Sequence, residues 1–135
     1  MVVDVGGDRG RELIAWWSSS VTGGDCEVIR YRLGPAGVSD REVIGRGDAG
    51  SLWPIDGQMT VADLCDGRTQ AVWFATPSGN LWRYDLQNQL PLVHVCRIEE
   101  GVGPLLGVSA AESPHGPRLY LGSDRLVLEL RRTQR

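Results

Sequence analysis

Short apolar runs separated by turn residues follow one another along almost the whole chain. The runs are rich in β-branched, aromatic and leucine residues, and glycine, proline, aspartate, asparagine or serine bounds each of them. No window keeps an apolar period of 3.6 residues for three turns, so the pattern predicts an all-β fold. The predicted strands are ELIAWW, EVIRYRL, REVIG, AVWFAT, NLWRYDL, LPLVHVCRI, RLYLGS and RLVLEL.

The predicted strands recur in a fixed order. IRYRL at 29–33 and WRYDL at 82–86 share the pattern Arg-Tyr-x-Leu and lie 53 residues apart (82 minus 29). The stretches VVDV and ELIAWWSS precede the first copy, and VADL and QAVWFATP precede the second. A third, weaker copy contains GVSAAES, RLYLGS and RLVLEL. Repeats of this length, with three or four strands each, are typical of β-propeller blades.

This repeat pattern predicts the organisation of the domain. We expect a single repeat domain over residues 1–135, with a first blade-like repeat at 2–45, a connector at 46–59, a second repeat at 60–101 and a partial third at 107–131. Two nearly complete blades and a shortened third cannot close a ring, because propellers have about four to eight blades. We therefore expect a segment of a larger propeller or an oligomer. A β-trefoil is the alternative fold.

The loops between the first two strands of each repeat resemble the loops of a known family of repeats. An apolar-Asp-apolar stretch, a loop rich in glycine and aspartate, an acidic residue and two following strands resemble FG-GAP repeats, which are the blades of integrin-α-like propellers. The loop DVGGDRGRE at 4–12 carries the resemblance most fully. The resemblance implies a calcium site formed by the side chains of Asp4, Asp8 and Glu12 and by the backbone carbonyl of Gly10.

The same loop departs from the family pattern in two places. Gly6 provides no side-chain oxygen where the family has a ligand, and Arg9 replaces the glycine of the tight turn. Calcium takes six to eight oxygen ligands, so both changes weaken a site. We therefore expect no cofactor. The aspartates are expected to accept hydrogen bonds from turn amides, while Gly6, Gly7 and Gly10 permit a positive φ.

Charge and cysteine content narrow the range of partners and compartments. The chain has 14 basic and 17 acidic residues, and its arginines are too scattered to neutralise a nucleic-acid backbone. No apolar stretch approaches the roughly 20 residues that span a bilayer. Cys26, Cys65 and Cys96 form no CxxC pair and cannot all be joined within one chain, which favours a reducing compartment. The expected location is cytoplasmic, without nucleic-acid or membrane binding.

The candidate functional residues indicate a binding protein rather than an enzyme. The chain contains no GxSxG, HExxH or Walker motif. Its tryptophans are expected to pack between sheets, except for Trp53 in SLWPIDG, which is the predicted partner contact on an exposed loop. The leading hypothesis is a non-enzymatic protein-interaction scaffold that binds a protein partner or additional propeller blades. The alternative is a carbohydrate-binding, trefoil-like lectin module.

Overall fold

The protein is described by a computed structural model that covers residues 2–4, 10–19, 24–55, 58–64, 70–87, 91–98 and 105–131. Within this part, strands dominate and the only helix has four residues, which confirms the prediction of an all-β fold. The elements are β1 (Val2–Asp4), β2 (Arg11–Ser18), β3 (Asp25–Gly34), β4 (Gly37–Asp48), α1 (Ala49–Leu52), β5 (Thr60–Ala62), β6 (Ala71–Ala75), β7 (Asn80–Asp85), β8 (Val93–Arg97), β9 (Leu105–Ala111), β10 (Arg118–Ser123) and β11 (Val127–Arg131).

The described strands form three antiparallel sheets, and each sheet follows the order of the chain. The first sheet has the order β1-β2-β3-β4, the second β5-β6-β7-β8 and the third β9-β10-β11. None of these sheets closes on itself. The β-trefoil alternative stays a prediction.

The chain divides into two compact units, Met1–Leu52 and Trp53–Arg135. The first unit contains the first sheet and α1, and the second unit contains the other two sheets. The predicted single repeat domain and its repeat boundaries stay a prediction.

In the first unit, alternation along β2 and β3 creates one buried face. Ile14 lies opposite Arg30, and Trp16 lies opposite Val28, so these four side chains share that face. Ile14 and Val28 are buried, while Trp16 is half-buried. The indole N–H of Trp16 donates to the carbonyl of Leu52 at 3.0 Å. Because Leu52 is the last residue of α1, this bond ties the helix to the buried face.

The short helix α1 begins after an aspartate cap in the predicted connector. The Asp48 carboxylate accepts hydrogen bonds from the backbone N–H of Ser51 at 3.1 Å and from its hydroxyl at 2.8 Å. An aspartate in this position satisfies an amide that has no partner within the first helical turn. The Ser51 hydroxyl also lowers the pKa of Asp48. The cap explains why the chain leaves β4 in a helical turn.

The second unit contains an apolar core to which both of its sheets contribute. Trp73 is buried in this core, and its indole N–H donates to the carbonyl of Ala62 at 3.1 Å. Burial of apolar surface of this kind contributes roughly 25 cal/mol per Å². The buried members are Ile55, Ala62, Ala71, Trp73, Ala75, Leu81, Leu105, Val108, Leu119 and Leu121.

The repeat order predicts that ELIAWW pairs antiparallel with VIRYRL and AVWFAT with LWRYDL, and both pairings are confirmed. ELIAWW lies in β2, and β2 pairs antiparallel with β3. AVWFA, the start of AVWFAT, forms β6, and β6 pairs antiparallel with β7. The repeat alignment, which places Ile14 and Trp16 at the positions of Val72 and Phe74, predicts that these four side chains are buried. Ile14, Val72 and Phe74 are buried, but Trp16 is only half-buried.

The alignment of the two repeats differs from the expected one by a single residue. Arg30 lies opposite Ile14, and Arg83, 53 residues later, lies opposite Trp73. Ile14 therefore corresponds to Trp73 and not to Val72. A one-residue shift moves every side chain of a strand to the other face. The sequence does not reveal the shift, because both faces of β6 are buried and its residues are therefore apolar at every position. No alternation of apolar and polar residues marks which face is which.

Candidate functional site

The loop that the FG-GAP resemblance assigns to calcium lies largely outside the described residues. Asp8 and the side chain of Asp4 lie outside the described residues, so the hydrogen bonds expected of them stay a prediction. Gly10 is described and has a φ of 62°, a backbone conformation that glycine adopts readily. Among the described residues, no group of three or more histidine, cysteine, aspartate or glutamate side chains has the arrangement of a metal site.

Glu12, the last residue of that loop, lies on β2 and faces an arginine. Its side chain is buried, and its Oε1 accepts a hydrogen bond from Nη1 of Arg30 at 3.3 Å. Arg30 also donates to Glu42 on β4 through Nη2. The carboxylate that the resemblance assigns to calcium is therefore part of a Glu12-Arg30-Glu42 ion-pair network. The expectation that this loop binds no calcium stays a prediction.

Trp53, the predicted partner contact, is half-buried and is the first residue of the second unit. Another tryptophan is more exposed: the side chain of Trp17 on β2 is 51 % exposed. Adjacent residues of a strand point to opposite faces, so Trp16 and Trp17 cannot both face the same core. The sequence pair Trp-Trp within one strand was the signal that could have identified an outward-facing tryptophan.

Trp17 lines a cleft on the first sheet, on the face opposite that of Ile14. The cleft has a volume of about 490 Å³ and is called the Trp17 cleft below. Ladder pairing places Ala15 opposite Ile29 and Trp17 opposite Glu27, so β2 and β3 together form its floor. The lining includes Ala15, Trp17, Glu27, Ile29, Tyr31 and Arg41.

Two arginines of β4 share one carboxylate at the cleft. Nη2 of Arg41 donates to Oε2 of Glu27 at 2.9 Å, and Nε of Arg46 donates to Oε1 of Glu27 at 3.3 Å. Arg41 also hydrogen-bonds with the side chain of Tyr31, and its bonds with Glu27 and Tyr31 raise the pKa of Arg41. The guanidinium groups of Arg41 and Arg46 therefore both bind the carboxylate of Glu27.

The composition of the Trp17 cleft suits binding. Tryptophan, tyrosine and arginine are the residues most enriched among those that dominate the energy of protein interfaces. Ile29 is buried beneath them and supplies an apolar floor. Arg41 is held in place by its bonds with Glu27 and Tyr31, so it loses less side-chain entropy when a partner binds. The cleft therefore offers apolar contact and an ordered positive charge side by side.

Other residues of chemical interest have local roles in the described part of the chain. His94 is exposed on β8, and its Nε2 lies 3.0 Å from Oδ1 of Asn80. Its ring lies edge-on to Trp82, with centroids 4.9 Å apart. Cys26 and Cys96 are free thiols, and burial raises the pKa of both. A raised pKa reduces the thiolate form, so neither cysteine is activated as a nucleophile.

Comparison of the chain with protein-family models, with curated proteins and with solved structures found no match. The resemblance to FG-GAP repeats therefore stays a prediction. A search of the described residues for a helix long and apolar enough to cross a membrane found none.

Proposed function

We propose that the chain is a non-enzymatic protein-interaction scaffold made of degenerate β-propeller blades, and that it works as a segment of a larger propeller or as an oligomer. Two four-stranded sheets and one three-stranded sheet follow one another, each antiparallel and in chain order. Propeller blades are four-stranded sheets arranged in succession. The pattern shared with FG-GAP repeats supports the same proposal.

A difference in burial between equivalent faces carries this proposal. By the ladder register, Tyr31 of the first repeat corresponds to Tyr84 of the second, and Ala15 corresponds to Phe74. Tyr84 and Phe74 are each 1 % exposed. Tyr31 and Ala15 are half-buried and line the open Trp17 cleft. A face that is covered in one repeat and open in the other indicates a missing neighbour in the first repeat.

The physical reason is that repeat units with two apolar faces need a neighbour on each side. An exposed tryptophan beside a tyrosine and an isoleucine leaves apolar surface in water, and its burial stabilises an assembly. We propose that a protein surface covers the Trp17 cleft. This surface belongs either to a further blade or to a second copy of the chain.

The mass of the protein in solution tests the proposal. Sedimentation equilibrium over a range of concentrations should show a dimer or larger species of the 14.8 kDa chain. Trp17→Ala should shift the equilibrium towards the monomer, whereas Trp53→Ala should affect it less. A compact, folded monomer at every concentration would contradict the scaffold proposal and would instead favour a self-contained domain.

Carbohydrate binding is the second candidate function, because Trp17 and Tyr31 line an open cleft together. Aromatic side chains provide flat apolar surfaces with a polar edge, which suit ligands that combine apolar and polar groups. A glycan array separates the two candidates. The scaffold proposal predicts no glycan binding, whereas glycan binding that disappears in Trp17→Ala would support the lectin alternative.

A further inference from the structure

We infer that two copies of the chain associate through the free edge of β11, with their β11 strands antiparallel and Leu130 on the twofold axis. The described part of the third sheet has three strands, whereas the other two sheets have four. Within the described residues, β11 therefore has β10 on one side and no strand on the other. The inference rests on the proposed scaffold function and deepens it, because it names a second contact between copies, separate from the Trp17 cleft.

The edge of β11 is more regular than the other sheet edges. Edge strands attract further strands through their unpaired backbone N–H and C=O groups, and short or irregular edges do so less. All five residues of β11 pair with β10 without a shift of register. The edge strands β1 and β5 have three residues each, and the ladders of β4 and β8 shift register. On the edge strand β9, the backbone N–H of Val108 already donates to Oε1 of Gln58 at 3.3 Å.

The inner face of β11 would gain burial from a neighbouring strand. Leu128 and Leu130 pack against the apolar core of the second unit, but both are only half-buried. Leu81 belongs to the same core and lies on β7, which has a strand on each side, and it is 1 % exposed. A strand added beside β11 removes leucine surface from water, which favours association.

The outer face of β11 carries two charges that complement a second copy of the same strand. Glu129 and Arg131 are two residues apart, so their side chains share a face, and both are exposed. In an antiparallel pair with Leu130 opposite its own copy, Glu129 lies opposite Arg131 of the second copy, and Arg131 lies opposite its Glu129. Opposite charges directly across an antiparallel pair stabilise the pair. The twofold axis provides this favourable pair twice.

Within its own sheet, Arg131 lies opposite another arginine, Arg118. An acidic residue of a second copy on the free side would therefore favour Arg131. Glu129 lies 3.5 Å from Arg118 on the β10 side, and its side chain is still 43 % exposed. A carboxylate has two acceptor oxygens and can bind a second guanidinium group, as Glu27 does on the first sheet.

The charges also select the register of the contact. With Glu129 or Arg131 on the twofold axis, that residue would face its own copy and therefore a like charge. With Leu128 on the axis, Arg131 would face Arg125 of the second copy. Like charges directly opposite each other destabilise a strand pair, so Leu130 is the residue on the axis. Both copies use the same surface, which makes the contact isologous and closes it as a dimer.

The test uses Glu129→Arg and Arg131→Glu in separate full-length chains, with the association of each measured by sedimentation equilibrium. Each variant alone places like charges opposite each other on both sides of the axis, so association through β11 should weaken about tenfold or more. When the two variants are mixed, every arginine of the contact faces a glutamate again, and association should be restored. Glu112→Arg and Arg97→Glu make the same charge changes at exposed positions outside β11, and these matched controls should leave association unaltered.

A Trp17→Ala chain separates this contact from that of the Trp17 cleft. The β11 contact does not use Trp17, so dimers of the 14.8 kDa chain should remain in this variant. Adding Glu129→Arg to the Trp17→Ala chain should reduce these dimers to monomers. Circular dichroism establishes that each variant folds. If Glu129→Arg does not fold, Glu129→Gln replaces it, keeps the shape of the side chain and should also weaken association.

The outcomes distinguish the inference from the scaffold proposal. Native protein that associates with no effect of either charge variant would overturn the inference and leave the scaffold proposal standing, as would a Trp17→Ala chain that is entirely monomeric. Weakened association without restoration on mixing would overturn the pairing of Glu129 with Arg131. Association that is lost in the charge variants and unchanged in Trp17→Ala would support the inference and contradict the contact at the Trp17 cleft. Native protein that is monomeric throughout would contradict both proposals.

Discussion

The two units stabilise equivalent parts of a repeat in different ways. In the first unit, the side chain opposite Ile14 is Arg30, which lies between the carboxylates of Glu12 and Glu42. In the second unit, the corresponding Arg83 lies over the ring of Trp73, with its guanidinium carbon 5.9 Å from the ring centroid. The arginine at this position of the repeat therefore pairs with carboxylates in the first unit and lies over an indole ring in the second.

This difference follows from the cores that surround the two arginines. The second unit has an apolar core to which strands of both its sheets contribute, and Trp73 is part of that core. Arg83 lies at the edge of the core, where its Nε pairs with Oδ1 of Asp85 at 3.1 Å. The described residues of the first unit form a single sheet, and its buried face includes a carboxylate. A buried carboxylate is tolerated only with a cationic partner, so the first unit depends on Arg30 more than the second depends on Arg83.

The largest expected effect is therefore that of Arg30→Ala. Removing one member of a buried ion pair costs about 3–5 kcal/mol, because the buried charge of Glu12 loses the cation that faces it. Urea unfolding should show this loss, and Arg83→Ala should cost less, since the Arg83 side chain is more exposed. The combined change Glu12→Leu with Arg30→Met should be less harmful than Arg30→Ala. Equal costs at the two arginines would refute the contrast between the units.

The apolar core of the second unit provides the next effect. Leu119 is fully buried on β10, and Leu119→Ala should lower the free energy of unfolding by about 2–5 kcal/mol through lost burial and a cavity. Leu106 on the paired strand β9 is exposed, so Leu106→Ala should change stability by no more than about 0.5 kcal/mol. Chemical denaturation of both variants measures the difference. Similar losses at both positions would show that the core is not where these strands place it.

A smaller effect separates two tryptophans that make the same kind of bond. Trp73 donates its indole N–H to a backbone carbonyl in a buried site, and Trp16 does so in a half-buried one. Trp73→Phe should cost about 1–3 kcal/mol, because the lost bond lies in the interior. Trp16→Phe should cost less, because water can reach its partner. Thermal unfolding compares them, and a larger loss at Trp16 would reverse the proposed order.

Added calcium should leave the melting temperature of the protein unchanged. A calcium site in the loop 4–12 would raise the melting temperature as calcium increases, since a ligand that binds the folded state stabilises it. We expect no rise at millimolar calcium, because Gly6 offers no side-chain oxygen and Glu12 already faces Arg30. A rise that is present in the native chain and lost in Asp8→Ala would make the loop a working metal site.

The sequence by itself determined most of the strands and their pairing. β-branched and aromatic runs bounded by turn residues are local signals, and they placed β2, β3, β6 and β7 together with their antiparallel order. Elements with weaker local signals were missed. The strand β9 contains glycine, serine and alanine, which have little intrinsic preference for strands, and it forms through its ladder with β10. The helix α1 depends on a single aspartate cap.

Only the tertiary structure decided which face of each strand is covered and which tryptophan is exposed. Alternation indicates that Trp16 and Trp17 face opposite sides, but it does not say which side has a neighbour. The cover comes from residues distant in the chain, as when the carbonyl of Leu52 meets the indole of Trp16. For the same reason, the sequence did not single out Trp17, which lines the cleft, and the predicted partner contact at Trp53 stays a prediction. Burial depends on what packs against a strand, and a strand's own residues do not encode that neighbour.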